Sequence, residues 1–229
     1  MSEKDIIAAG DRERTYGFFA GLCLQPPSDA VIDMIRDGSI VSVFHGGAGA
    51  GTDRHLLEFI LQTDGIQNLR DEMDAEHAAL FALPSGVLPH EAIYADKEKR
   101  LGGRVTMSVS SFYECAGATV IEESKEVPDH LGMELEFMGF LCNLEKQLWE
   151  GADRPMLVKC IELQKTFLEE HLSKWAYRCC DEITRRAAYG FYKAVAHSIK
   201  EFLRYEEEYI EELYARVRRE DETICEAST

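Results

Sequence analysis

Positive charge is scarce in this chain of 229 residues. Twenty-five Lys and Arg stand against 42 Asp and Glu, for a net charge of −17. A phosphate backbone is held by basic side chains that displace its counterions, so the balance excludes nucleic acid as a partner. The surplus of acid favours solubility and a cationic partner. Long apolar runs are lacking too: nothing approaches the roughly 18 residues of a membrane span. The run GFFAGLCL (17–24) is short, the residues before it mix acids with bases, and QPP follows where a cleavage site would stand. Neither a signal peptide nor stable membrane insertion is therefore expected, and the expected location is the cytoplasm.

No Cys-x-x-Cys occurs among the seven cysteines, at 23, 115, 142, 160, 179, 180 and 225. Zinc spacing is missing, and the adjacent Cys179 and Cys180 could bridge only with strain. Buried thiols in a reducing compartment are expected. The loop HGGAGAGTDR (45–54) follows a strand-like IVSVF (40–44) but carries Thr52 where a phosphate loop needs lysine, and it reads as a flexible connector. Gly-x-Ser-x-Gly is absent, Ser110 and Ser111 fall in an apolar-faced helix, and His130 lies too far along one helix from Cys142 to activate it. No nucleophilic centre is legible.

What is present is helical spacing, without internal repeats or an alternating strand series. Ile6, Tyr16, Phe19, Ala20 and Cys23 share one side of a segment closed by Pro26 and Pro27. Val31, Met34 and Ile35 form a short amphipathic piece stopped by Gly38, and a helix through Leu69, Met73, Leu80 and Phe81 ends before Pro84. Residues 104–117 fit the helical template over a longer window than the strand one. Leu131, Leu135, Met138, Leu141 and Leu148 make one apolar face. A helix opened by Asp153 and Pro155 carries Leu157 to Trp175, and one long helix runs from Ile183 to Val217, weakened at Gly190. The fold class is all-α, a helical bundle forming one domain over 1–229. The proline-rich stretch 83–104 reads as an irregular lid.

The stretch EVPDHLGMELEFM (126–138) carries the candidate chemistry. His130 and Glu134, four apart, share a helical face and could hold a metal, a reading that would make the chain a metal-dependent hydrolase. A third ligand is wanting among the neighbouring Leu, Met and Phe. The plainer reading is a helix start, with Pro128 favouring it and Asp129 capping or lying in the first turn.

The same stretch resembles the signature of the TorD/DmsD family of molybdoenzyme-maturation chaperones, Glu-Pro-x-Asp-His or a near variant. Glu126, Pro128, Asp129, His130, Glu134, Leu135, Phe137, Met138 and Leu141 carry the match, with Pro128 displaced by one place. TYGFFAGLCLQPP (15–27), HAALFALPSGVLPHEAIY (77–94) and TFLEEHLSKWA (166–176) are similar to further family blocks in the same order. The resemblance implies an all-helical cytoplasmic chaperone without catalytic turnover, resident cofactor or metal, acting as monomer or homodimer. It would bind the twin-arginine signal peptide of a molybdopterin oxidoreductase subunit, delay its export and assist cofactor insertion into the apo form. A related possibility is an assembly factor for a non-exported subunit of the nitrate-reductase kind. Family roles carried over here point to Glu126, Pro128, Asp129 and His130 near a hinge at 122–130. They also point to Leu80, Phe81, Pro89 and Tyr94, with His77 where the family has an aromatic. A cationic, then apolar, peptide suits an acidic rim beside an apolar groove. Leu80, Phe81 and Tyr94 look exposed enough to line one, although Leu80 and Phe81 could equally be core.

Overall fold

The computed structural model describes residues 3–46, 54–118 and 127–227. The middle of the glycine-rich connector (47–53), Glu126 and most of the expected hinge lie outside the described residues. Helix α1 (Glu3–Leu24) stops ahead of the two prolines, and α2 (Asp29–Asp37) is capped by Ser28 and ended by Gly38 at φ +77°. Helices α3 (Ile40–Gly46), α4 (Arg54–Thr63) and α5 (Leu69–His77) follow, and α5 runs into a π-helical turn at Ala78–Ala82. Then come a short α6 (Glu91–Ala95), α7 (Arg104–Cys115), α8 (Leu131–Gly151) and α9 (Arg154–Phe167). A second π-helical turn (Leu168–Leu172) leads into α10 (Ser173–Arg186), and α11 (Gly190–Ala227) closes the chain. Among the described residues there is no β-strand, apart from one antiparallel bridged pair, His90 and His130. The all-α expectation holds.

Helices α1 and α8 lie antiparallel along one another. Leu24 and Ala20 meet Gly132, Tyr16 meets Gly139, and Lys146 meets Gly10. Helices α9, α10 and α11 complete the core, in which Trp175, Tyr16, Tyr192, Phe59, Phe167 and Phe191 are fully buried. Each of the phenylalanines contributes roughly 1.5–3 kcal/mol by leaving water. One cation sits among these helices. Arg12 of α1 donates to Glu206 of α11 (2.9 Å), Glu145 of α8 (2.7 Å) and Gln164 of α9 (2.7 Å), all buried. Cys23, Cys142, Cys160, Cys179 and Cys180 are buried free thiols, and burial pushes Cys23 up to about 12.

Three elements differ from the sequence expectation. IVSVF is helix, because burial of Ile40 and packing of Phe44 against Phe18 and Phe19 impose an i, i+4 spacing that overrides β-branched propensity. The long helix from Ile183 is broken at Ala187–Tyr189. There Gly190 approaches α4 so closely that a Cβ would stand 2.2 Å from the His55 carbonyl oxygen, and the Tyr189 N–H donates to Glu76 instead of a helical carbonyl. The stretch 83–104 is not wholly irregular, since it contains α6.

Candidate functional site

Pro128, Asp129 and His130 form the corner leading into α8. The Tyr113 hydroxyl donates to the Pro128 carbonyl at 2.8 Å. His130, not Asp129, caps α8: its Nδ1 accepts the Gly132 N–H at 3.1 Å. Asp129 caps a different helix. Its Oδ2 accepts the Ala92 N–H at 3.1 Å, and its carbonyl accepts the Glu91 N–H at 2.8 Å, both at the start of α6. The Leu131 N–H donates to the Pro89 carbonyl at 2.7 Å, so 89–91 and 129–131 are stitched side by side. That pairing decides which helix Asp129 serves. The structure thus joins Pro89 to Asp129 and His130, two segments that are some forty residues apart in sequence.

Both motif side chains are buried. Burial acts to raise the Asp129 carboxyl, but the His90 ring nitrogen 3.7 Å away and the hydrogen bond from the Ala92 N–H outweigh it and hold the group below its ordinary range. Burial, reinforced by His90, pushes His130 down to about 3. His130 is therefore neutral near pH 7, as an acceptor at Nδ1 must be.

Behind this corner lies a polar network that sequence reasoning missed. Glu91 of α6 meets His171 Nδ1 at 2.7 Å, and His171 Nε2 is 3.2 Å from the Ser108 hydroxyl. Glu134 accepts the Trp175 indole N–H at 3.0 Å; burial first, then the neighbouring Glu91, pushes its carboxyl well up. Tyr94 stacks on Trp175 at 5.5 Å, and the Arg178 guanidinium lies over its ring. His171 occupies the π-helical turn, a local widening that often marks a functional position. The block TFLEEHLSKWA was the signal that could have found it. His130 and Glu134 face different partners, and no group of three His, Cys, Asp or Glu among the described residues could hold a metal. The metal-hydrolase expectation has no ligand set there.

Leu80 is core, only 2% exposed, a correction to its expected exposure. Phe81 and Tyr94 are half-buried, and Pro89 is buried. Phe81 packs on His77 (5.0 Å) and Tyr192 (5.6 Å), so His77 fills the family's aromatic position as a ring; burial pushes it down to about 4. Leu80 nonetheless forms part of the wall of a cleft of about 400 Å³ between α5, the turn at 83–86 and the α10–α11 junction. Gly86 closes down on that wall, for a Cβ there would stand 2.4 Å from the Leu80 carbonyl oxygen. The segment 80–95 therefore lines a cleft at one end and is fastened to Asp129 and His130 at the other.

The family model described as nitrate reductase delta subunit matches residues 49–181. A chaperone protein TorD of Vibrio cholerae serotype O1 is 25% identical over 163 residues, covering 70% of this chain and 72% of the relative. One from Aliivibrio salmonicida is 29% identical over 143 residues, covering 62% and 65%. Another, from Vibrio parahaemolyticus, is 23% identical over 208 residues, covering 87% and 94%. No described helix is long and apolar enough to cross a membrane. With the family model spanning more than half of its length, the chain belongs to the nitrate reductase delta subunit family, the group of molybdoenzyme-maturation chaperones that its Asp129-His130 motif resembles.

Proposed function

We propose that this protein is a cytoplasmic chaperone of molybdoenzyme maturation. It binds the twin-arginine signal peptide of an apo molybdopterin oxidoreductase subunit and holds the subunit while its cofactor is inserted. It turns over no substrate. The observation that carries this reading is the pairing of Pro89–Glu91 with Asp129–Leu131 in a chain of this family. Both segments that the family resemblance marks for recognition thereby become one unit. Asp129 and His130, being buried, act as positioning residues: they set the loop that packs Leu80 and Pro89 inward and presents the half-buried Phe81 and Tyr94. The net charge of −17 suits a cationic peptide head. The chain works as one helical domain.

Co-expression with an apo molybdopterin subunit tests this. The subunit purified from cells containing the chaperone should hold several-fold more molybdenum than the subunit from cells lacking it. Equal molybdenum content with no co-purification would overturn the reading. The description of the matching family favours a second reading, assembly of a non-exported subunit of the nitrate-reductase kind. A client retained equally with and without its leader would select it.

A further inference from the structure

Glu76 of α5 is 5% exposed, and its two carboxylate oxygens have different fates. Oε1 accepts the Tyr189 N–H at 2.7 Å, fastening the start of α11. Oε2 is buried without a hydrogen-bond partner. Buried carboxylate oxygens are normally satisfied, and an unpartnered one on a residue that lines a cavity can take a donor from outside. The cavity is the cleft of about 400 Å³, within the range of roughly 300–1,000 Å³ typical of ligand pockets. Leu80, Ala75 and Ala79 give it an apolar side, and Leu83 and Leu88, flanking the turn that closes it, are 51% and 46% exposed.

We propose that this cleft receives an arginine side chain of a bound peptide, with the guanidinium donating to the open oxygen of Glu76 and the following apolar residues lying on Leu83 and Leu88. The inference rests on the chaperone reading above and names the contact that would give it charge specificity. Guanidinium suits the place because it offers several N–H donors in a plane, so that it can reach Glu76 and the exposed carboxylate of Glu72 together. Glu72 is held at the mouth by the Tyr189 hydroxyl at 2.8 Å. Two cations face the region. Arg186 is already committed, to Glu182 at 3.3 Å and to the Ser85 carbonyl at 2.5 Å. Lys193 lowers the Glu76 carboxyl without offsetting burial, which pushes the group up to about 7. An arriving guanidinium would pull it back down and release a proton.

The test uses the full chain and two probes. The first is an amidated peptide with two adjacent arginines followed by leucines and alanines. The second is N-acetylarginine amide. Glu76→Gln keeps an acceptor for the Tyr189 N–H but removes the charge; Asp33→Asn, at an exposed site on α2, is the control for net charge. Calorimetry should show the peptide binding Glu76→Gln at least about tenfold more weakly than wild type, with Asp33→Asn close to wild type. Carbon-13 NMR of the wild-type Glu76 carboxyl should show its midpoint falling as N-acetylarginine amide is added. Equal peptide affinity for wild type and Glu76→Gln would overturn the site while leaving the chaperone reading standing. A Glu76 midpoint that the small probe does not move would overturn it as well, even if the variant failed to fold. No peptide binding to wild type, together with a midpoint that N-acetylarginine amide does move, would uphold the cation site and refute the client reading.

Discussion

Replacing Asp129 by alanine leaves the Ala92 N–H buried without its acceptor and removes the negative charge 3.7 Å from the His90 ring nitrogen. A hydrogen bond to a charged group contributes about 1.5–3 kcal/mol, against about 0.5–1.5 kcal/mol for a neutral one. Asp129→Ala should therefore cost about 1.5–3 kcal/mol. Asp129→Asn retains an amide oxygen toward Ala92, so its cost should be about 1 kcal/mol, the difference between the two classes. A chain of this size shifts by about 2–4 °C per kcal/mol. Calorimetry should thus show Tm lower by about 3–12 °C for alanine and about 2–4 °C for asparagine. Amide exchange supplies the local readout: the Ala92 amide, held by the Asp129 side chain, should exchange faster than in wild type while the α1–α8 core is unchanged. An alanine variant with wild-type Tm and wild-type exchange at Ala92 would refute the claim that Asp129 fastens α6. The same structure warns against reading weaker client binding in Asp129→Asn as loss of a direct contact, because the loop that would contact the client moves with it.

His130 and His77, pushed down to about 3 and about 4 from an ordinary 6.5, stay neutral in the fold while the unfolded chain protonates. Stability should therefore rise with pH between about 3 and 6.5 and flatten above, and His130→Gln should reduce that slope in urea titrations at stepped pH. Glu76 acts oppositely: raised to about 7 from 4.5, it should contribute stability that is lost as pH rises through 7, a fall that Glu76→Gln removes. Arg12→Met strands Glu145 and Glu206 and should cost about 3–5 kcal/mol in denaturant midpoint analysis, much of it recovered when both acids are also made apolar. Gly190→Ala drives a Cβ into the His55 carbonyl and should cost about 1–3 kcal/mol; a variant as stable as wild type would remove the packing explanation for the break before α11. Raising salt should weaken binding of the arginine peptide, since exposed charges are screened beyond about 8–10 Å.

The helices were readable where one apolar face is continuous. The faces of α8 and α9 appear in the spacing of Leu131, Leu135 and Met138 and of Leu157 and Ile161, and the caps at Ser28, Gly38 and Asp153 stand where local chemistry puts them. The break before α11 was not readable, because its cause is the approach of a distant helix at His55 and an acceptor 113 residues away, at Glu76. IVSVF misled for a similar reason, its alternation being weaker than the burial of Ile40 and the packing of Phe44. At the site, Asp129 and His130 could be picked out by motif but not assigned to a helix end: which N–H each one caps depends on pairing with Pro89–Glu91. Glu76 left no mark in the sequence at all. An acid before His77 on an amphipathic helix reads as solvated, and only tertiary packing buries it with one oxygen open.

On the proposed function, the segment 80–95, fastened to Asp129 and His130, receives the arginine-bearing leader of a client. Hydrogen exchange of the full chain with and without a saturating twin-arginine peptide tests this most directly. Slowed exchange concentrated at residues 76–95 and 127–131, and lost when both arginines are glutamine, is the predicted result. Unchanged exchange in those segments, or equal protection by the glutamine peptide, would contradict it.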